Sequence, residues 1–128
     1  MAIQIKAVER PQPGVVGGGV KKFYASPVHG REISLDALTK AIEKTSTVNG
    51  ADIRAVVYAM VEEAVTGLTE GRIIRLGDLG SLRITLSSEG MDTAEEVTSA
   101  TVKKAGVIFT PGKKLREMLD MAKFTKVQ

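Results

Sequence analysis

Arg75-Leu76-Gly77-Asp78-Leu79-Gly80-Ser81-Leu82 decides the fold of this chain when it is set beside Thr110-Pro111-Gly112-Lys113-Lys114-Leu115-Arg116. The first stretch predicts a strand, a turn pinned by glycines at 77 and 80, and a second strand, since glycine supplies positive φ or a close backbone approach. The second predicts a helix start, with proline at an early position and cations on the first turns. Between them runs an extended excursion. Its centre, Glu89-Gly90-Met91-Asp92-Thr93-Ala94-Glu95-Glu96-Val97, is acidic.

Working outward, residues 72–76 and 82–86 read as strands flanking the glycine turn, and residues 101–109 return as a further strand. The last helix turns Leu115, Met118, Leu119 and Ala122 inward and leaves Lys114 and Glu117 outward. The tail from Lys123 to Gln128 reads either as a short closing strand or as a frayed end. Upstream, Ser34 is a good N-cap, and Asp36 opposes the positive end of the helix dipole. Leu35, Leu38, Ala41 and Ile42 follow helical spacing to about Lys44. After a Thr45–Asn49 turn, Ile53, Val56, Val57, Met60, Val61, Ala64, Val65 and Leu68 keep an unbroken helical period, stopped by Gly71. This long helix has more apolar face than a three-turn partner covers. That predicts a partner subunit; coverage by the chain's own sheet is the other solution.

At the N-terminal end, residues 3–8 alternate apolar and polar as a half-buried strand does. A Gly/Pro loop from Pro11 through Gly19 follows, and residues 20–25 make a second strand. The domain expectation is therefore an N-terminal β extension over residues 1–31 and a main domain over 32–128, with an arm at about 86–105.

Composition narrows the function. A chain of 128 residues has the length of one independently folding domain. Aromatic residues are only 4%, so the core is aliphatic. With no cysteine and a single histidine, His29, neither a disulfide scaffold nor a thiolate or histidine-rich metal site is available. The opening residues lack the apolar stretch of a signal peptide, and no 18-residue apolar run occurs, so a soluble, cytoplasmic chain is expected. The net charge of +3 is unevenly spread: +4 over residues 1–31, −2 over 32–88, −4 over 89–100 and +5 over 101–128. Basic ends suit a polyanionic partner.

In this order the elements resemble the bacterial HU/IHF family of DNA-binding proteins, from Ser34 to about Leu119. The pieces are the helical hairpin with Leu38, Ala41-Ile42 and Lys44-Thr45; Asn49 through Asp52 opening the long helix; Gly71 before the sheet; Leu76–Leu82, similar to the family's glycine-phenylalanine-glycine turn; and Phe109–Lys113. The N-terminal thirty residues are similar to those of a longer HU-related subgroup that carries such an extension. The resemblance implies an α+β fold: an N-terminal helical hairpin, an antiparallel sheet with an arm, a C-terminal helix and an added N-terminal β unit, assembled as an intertwined homodimer. In the family, paired arms clasp the minor groove and an Arg-Asn-Pro tip wedges between base pairs. Here the arm is shorter and its tip holds no proline, asparagine or arginine. No wedge residue is assigned.

The resemblance carries over Lys113 and Arg116 as phosphate contacts, at a helix start whose amides and dipole also favour an anion. Gly112 allows close approach, and Lys114 adds charge. Arg83 on the outgoing strand and Lys103 and Lys104 on the return strand complete the expected DNA-binding set. The acidic tip reads either as a solvated loop or as a device that repels phosphate or docks on a basic surface; its spacing fits no EF-hand loop. Enzymatic readings fail. His29 has no nucleophile motif beside it, Gly17-Gly18-Gly19-Val20-Lys21-Lys22 misses the phosphate-loop spacing, and Glu62-Glu63 sits on an exposed helix face.

The expectation is thus a non-enzymatic, nucleoid-associated HU-like homodimer that binds and condenses duplex DNA through phosphates with little sequence preference. It needs no cofactor, metal, membrane or small-molecule substrate. The alternative is a protein-interaction or scaffolding module that keeps the dimer fold with weak or no DNA binding.

Overall fold

Ser34 opens the first helix as its sequence requires: its hydroxyl accepts from the Ala37 amide at 3.1 Å, and helix α1 spans Leu35–Thr45. Asn49 repeats the device for α2, Gly50–Thr69, its side-chain oxygen accepting from the Asp52 amide at 3.0 Å. These caps satisfy amides that the helices themselves leave without partners. Glu70 ends α2, and Gly71 turns away with φ +78°. The structure is a computed structural model and describes residues 2–127.

The helices form the expected hairpin. Thr39 is fully buried in it, with its hydroxyl donating to the Leu35 carbonyl at 2.8 Å. Along α2 the apolar stripe is only partly covered. Ile53 is buried and Val57, Ala64 and Leu68 are half-buried, but Val56, Met60, Val61 and Val65 stay exposed, Val56 and Val65 at 59% each.

Strands β1 (Ile3–Arg10), β2 (Lys22–Pro27), β3 (Ile74–Arg75), β4 (Gly80–Ser88), β5 (Val102–Pro111) and β6 (Phe124–Lys126) make two small sheets. One has the order β3-β4-β5, antiparallel throughout. The other has the order β2-β1-β6, with β1 antiparallel to β2 and parallel to β6. Between β5 and β6 lies helix α3, Lys113–Asp120. The result is a mixed α+β fold.

The chain divides into two compact units. One comprises the N-terminal residues through Ile33 together with the segment from Met118 onward; the other is Ser34–Glu117. The C-terminal segment therefore groups with the N-terminal extension rather than with a continuous 32–128 block. Its tail is a strand: Ile3 pairs with Phe124 and Ile5 with Lys126, held by the Ile3 amide on the Lys123 carbonyl at 2.8 Å.

Among the boundaries that differ from expectation are those of the last helix and of β2. Pro111 does not begin the last helix; it ends β5 opposite Gly80, and α3 starts at Lys113. A proline is tolerated there because β5 is an edge strand and needs no donor on its open side. Strand β2 begins at Lys22, two residues later than the pattern suggests, leaving Val20 and Lys21 in the loop.

The arm is the outer part of β4 and β5. A register shift between Ser87 and Ser88 takes in one extra residue on β5, Lys103. Beyond it the acidic stretch folds into short 3-10 turns at Ala94–Glu96 and Ser99–Thr101. The Glu89 amide donates to the Thr101 carbonyl at 2.9 Å, and Thr101, 6% exposed, closes the base of the tip.

Candidate nucleic-acid interface

Register sorts the β3-β4-β5 sheet into two unlike faces, because side chains directly opposite one another share a side. Leu82 pairs with Ile74 and Phe109, Ile84 with Val107, and Leu86 with Ala105, giving an apolar face. Ser81 pairs with Arg75 and Thr110, Arg83 with Ile108, Thr85 with Gly106, and Ser87 with Lys104. That second face is polar and carries only positive charge.

Two glycines join this face to the start of α3. Gly80 has φ +152°, and a side chain there would collide with the Thr110 carbonyl and the Phe109 ring. A Cβ on Gly112 would lie 2.5 Å from the Asp78 carbonyl oxygen and 2.8 Å from the Gly80 nitrogen. Such an approach is open only to residues without a Cβ. Hydrogen bonds fix it: Gly112 donates to the Leu79 carbonyl at 2.9 Å, Lys114 to that of Asp78 at 3.3 Å, and Leu76 to that of Gly80 at 2.8 Å. The β3–β4 turn is thereby clamped to the first turn of α3.

The clamp creates a cleft of about 340 Å³ where Arg75, Arg83, Lys113 and Arg116 converge, with Asp78 the single carboxylate among its lining residues. Lys113 and Arg116 are three apart on α3, which places them on one helix face. Among the described residues, the ion pairs are Arg54–Asp36 at 3.9 Å and Arg72–Glu70 at 3.1 Å. Neither uses a cation of the cleft. Four positive side chains thus face solvent with one carboxylate between them, an arrangement that can hold anionic oxygens.

Of the expected DNA-binding set, the cleft gathers Arg83, Gly112, Lys113 and Arg116. Lys104 lies farther out along the same face as Arg83, beside Thr85 and Ser87. Lys103 is the extra residue of the bulge, and Lys114 is not part of the cleft lining. Arg75 was not expected. Its signal was the spacing across the Gly77–Gly80 turn, which sets it opposite Ser81 and on the side of Arg83. The backbone contribution to anion binding is also smaller than a bare helix start suggests, since the amides of Gly112 and Lys114 already donate to the β3–β4 turn.

A helical hairpin, a three-stranded sheet extended into an arm and a basic helix locked against a glycine turn together define an HU-type domain. The chain belongs to the family described as HU domain fused to wHTH, Ig, or glycine-rich motif, whose model matches residues 1–126. Among solved structures it is similar to a candidate bacterial DNA-binding protein from Bacteroides vulgatus ATCC 8482. The TM-score is 0.67 at 17% identity, over 98% of this chain and 48% of that one. That likeness concerns the fold, and the chain spans about half the length of this neighbour. No curated protein matches it by sequence. Among the described residues, no helix is long and apolar enough to cross a membrane, and no group of three or more His, Asp or Glu is placed to hold a metal ion.

Proposed function

We propose that this chain binds duplex DNA as an HU-like, nucleoid-associated homodimer, mainly through phosphates and with little sequence preference. The observation that carries the reading is the cleft in which Arg75, Arg83, Lys113 and Arg116 converge. Phosphate contacts of this kind position a protein on the duplex without reading its bases. The family assignment and the described role of the Bacteroides neighbour support the choice of DNA over other polyanions. No step of catalysis is proposed, and the acidic, proline-free tip supports a mode without wedge intercalation.

The dimer is supported by surface. The chain exposes 10737 Å², against roughly 6,600 Å² for a compact monomer of its mass. Exposed Val56, Met60, Val61 and Val65 on α2 belong to that excess, a natural seat for a second copy. Cytoplasmic location follows from the same reading.

Binding to a random-sequence duplex across a salt series tests the proposal. Log K falls by about 0.9 per phosphate contact for each decade of salt, so Lys113→Ala/Arg116→Ala should flatten the slope by roughly 1.8 per chain. Undetectable binding at low salt would favour the scaffolding alternative. The dimer has a separate test. Val65→Asp should cost roughly 3 kcal/mol or more of assembly by burying an unpaired charge, and sedimentation should show dissociation. A wild type that sediments as a monomer would defeat the dimer, and a variant that stays dimeric would defeat α2 as its seat.

A further inference from the structure

The N-terminal sheet carries a second sorted face that the cleft does not use. Its register pairs Lys6 with Ser26, Val8 with Tyr24, and Arg10 with Lys22, so these side chains share one side of the β1–β2 pair. Ile5, Ala7 and Glu9 pair with Pro27, Ala25 and Phe23 and share the other, where Lys126 of β6 joins them opposite Ile5. Every strand cation of this pair, Lys6, Arg10 and Lys22, therefore falls on one face around Tyr24. The only carboxylate of β1 and β2, Glu9, falls on the opposite face.

The facing cations do not serve folding. Arg10 stands directly opposite Lys22, and like charges across a strand pair destabilise it. None of the three cations takes part in an ion pair among the described residues, and all three are exposed. Lys21 adds a further charge where the loop meets β2. Lys6 and Arg10 are four residues apart on one strand, about 13 Å, a span that reaches across roughly four base pairs of one DNA strand. A cationic face without a carboxylate suits a chain of phosphates.

We propose that this face of the β2-β1-β6 sheet is a second contact surface for duplex DNA, with Lys6, Arg10 and Lys22 each holding a backbone phosphate. The proposal rests on the DNA-binding reading given above and extends it from the Ser34–Glu117 unit to the N-terminal one. Charge complementarity selects the occupant: four cations within residues 6–22 against the single Glu9.

The test is a duplex salt series on the full chain, comparing wild type, Lys6→Gln/Arg10→Gln/Lys22→Gln, the cleft variant Lys113→Ala/Arg116→Ala, and Phe23→Ser on the opposite face. The triple variant is expected to flatten the log K against log salt slope by about 2.7 per chain, at ~0.9 for each lost contact. Phe23→Ser should leave the slope unchanged. Arg10→Gln alone, which also relieves the facing charges, should remove about 0.9 without lowering the melting temperature. If the triple variant and Arg10→Gln both bind like wild type while the cleft variant is weakened, the second surface is overturned and the DNA reading stands. An equal loss in Phe23→Ser also overturns it, by tracing the effect to the sheet rather than to its charge. If wild type fails to bind at low salt, both proposals fall together.

Discussion

The two sheets are built alike and held differently. Each has three strands, and in each the register gathers cations on one face, although the other face of the β2-β1-β6 sheet also carries Glu9 and Lys126. In the β3-β4-β5 sheet the cationic face is completed by another element, with α3 clamped to the β3–β4 turn through Gly80 and Gly112. In the β2-β1-β6 sheet no helix is locked on by glycines. The close approaches of its connecting loop, at Gly18 and Gly19, are to Pro11, Gln12 and Val15 of the loop itself, while a Cβ on Gly14 would meet nothing within 4 Å. The same alternation of residue types thus yields a cleft closed by a helix in one case and a charged sheet face in the other. The difference lies in what the close approach joins, a loop to itself or a turn to a basic helix, and not in charge.

The largest effect is expected at Gly80. Gly80→Ala should cost about 3 kcal/mol or more, because the new methyl meets the Thr110 carbonyl and the Phe109 ring in a conformation that L residues avoid. Gly14→Ala, also at positive φ but in open space, should cost only about 1 kcal/mol. Chemical denaturation of both variants checks the contrast, and equal losses would show that the clamp is not tighter than the loop. A smaller effect lies in the facing charges. Lys22→Glu, opposite Arg10, should stabilise the N-terminal sheet by roughly 0.5 kcal/mol while weakening duplex binding. That opposite sign in melting and in affinity sharpens the distinction between a face built for folding and one built for a partner. The smallest effect belongs to the arm tip. Glu95→Gln/Glu96→Gln should raise affinity about twofold at low salt and lose the gain as the Debye length shrinks below about 8 Å. A gain that persisted at high salt would point to direct contact instead.

Much of this fold was legible in the residues. The two first helices follow from Ser34, Asn49 and an apolar period that holds from Ile53 to Leu68, all local signals. The glycine turn was legible because Gly77 and Gly80 bracket it. Pro111 was not, since a proline before a basic helix suits either a helix start or the last residue of an edge strand. Only pairing with Gly80 decides between them. Strand β6 is three residues long and takes its order from β1, at the other end of the sequence, so no window around it contained the answer. Within the cleft, Lys113 and Arg116 were found through helix spacing and family position. Arg75 required the register across a turn, a non-local quantity. The facing pair of Arg10 and Lys22 was hidden for the same reason.

The pairing of β6 with β1 sets a time order for folding. Ile3 and Phe124 are neighbours separated by roughly 120 positions of chain, and closing so long a loop must precede any gain from the contact. During synthesis the β1–β2 hairpin can form early, but the side of β1 that receives β6 has no strand to pair with until Phe124–Lys126 has left the ribosome. The Ser34–Glu117 unit draws on no such distant partner. Its first helices can be in place while the N-terminal sheet still waits, so the third strand of that sheet is added only after the residues of the Ser34–Glu117 unit have been made.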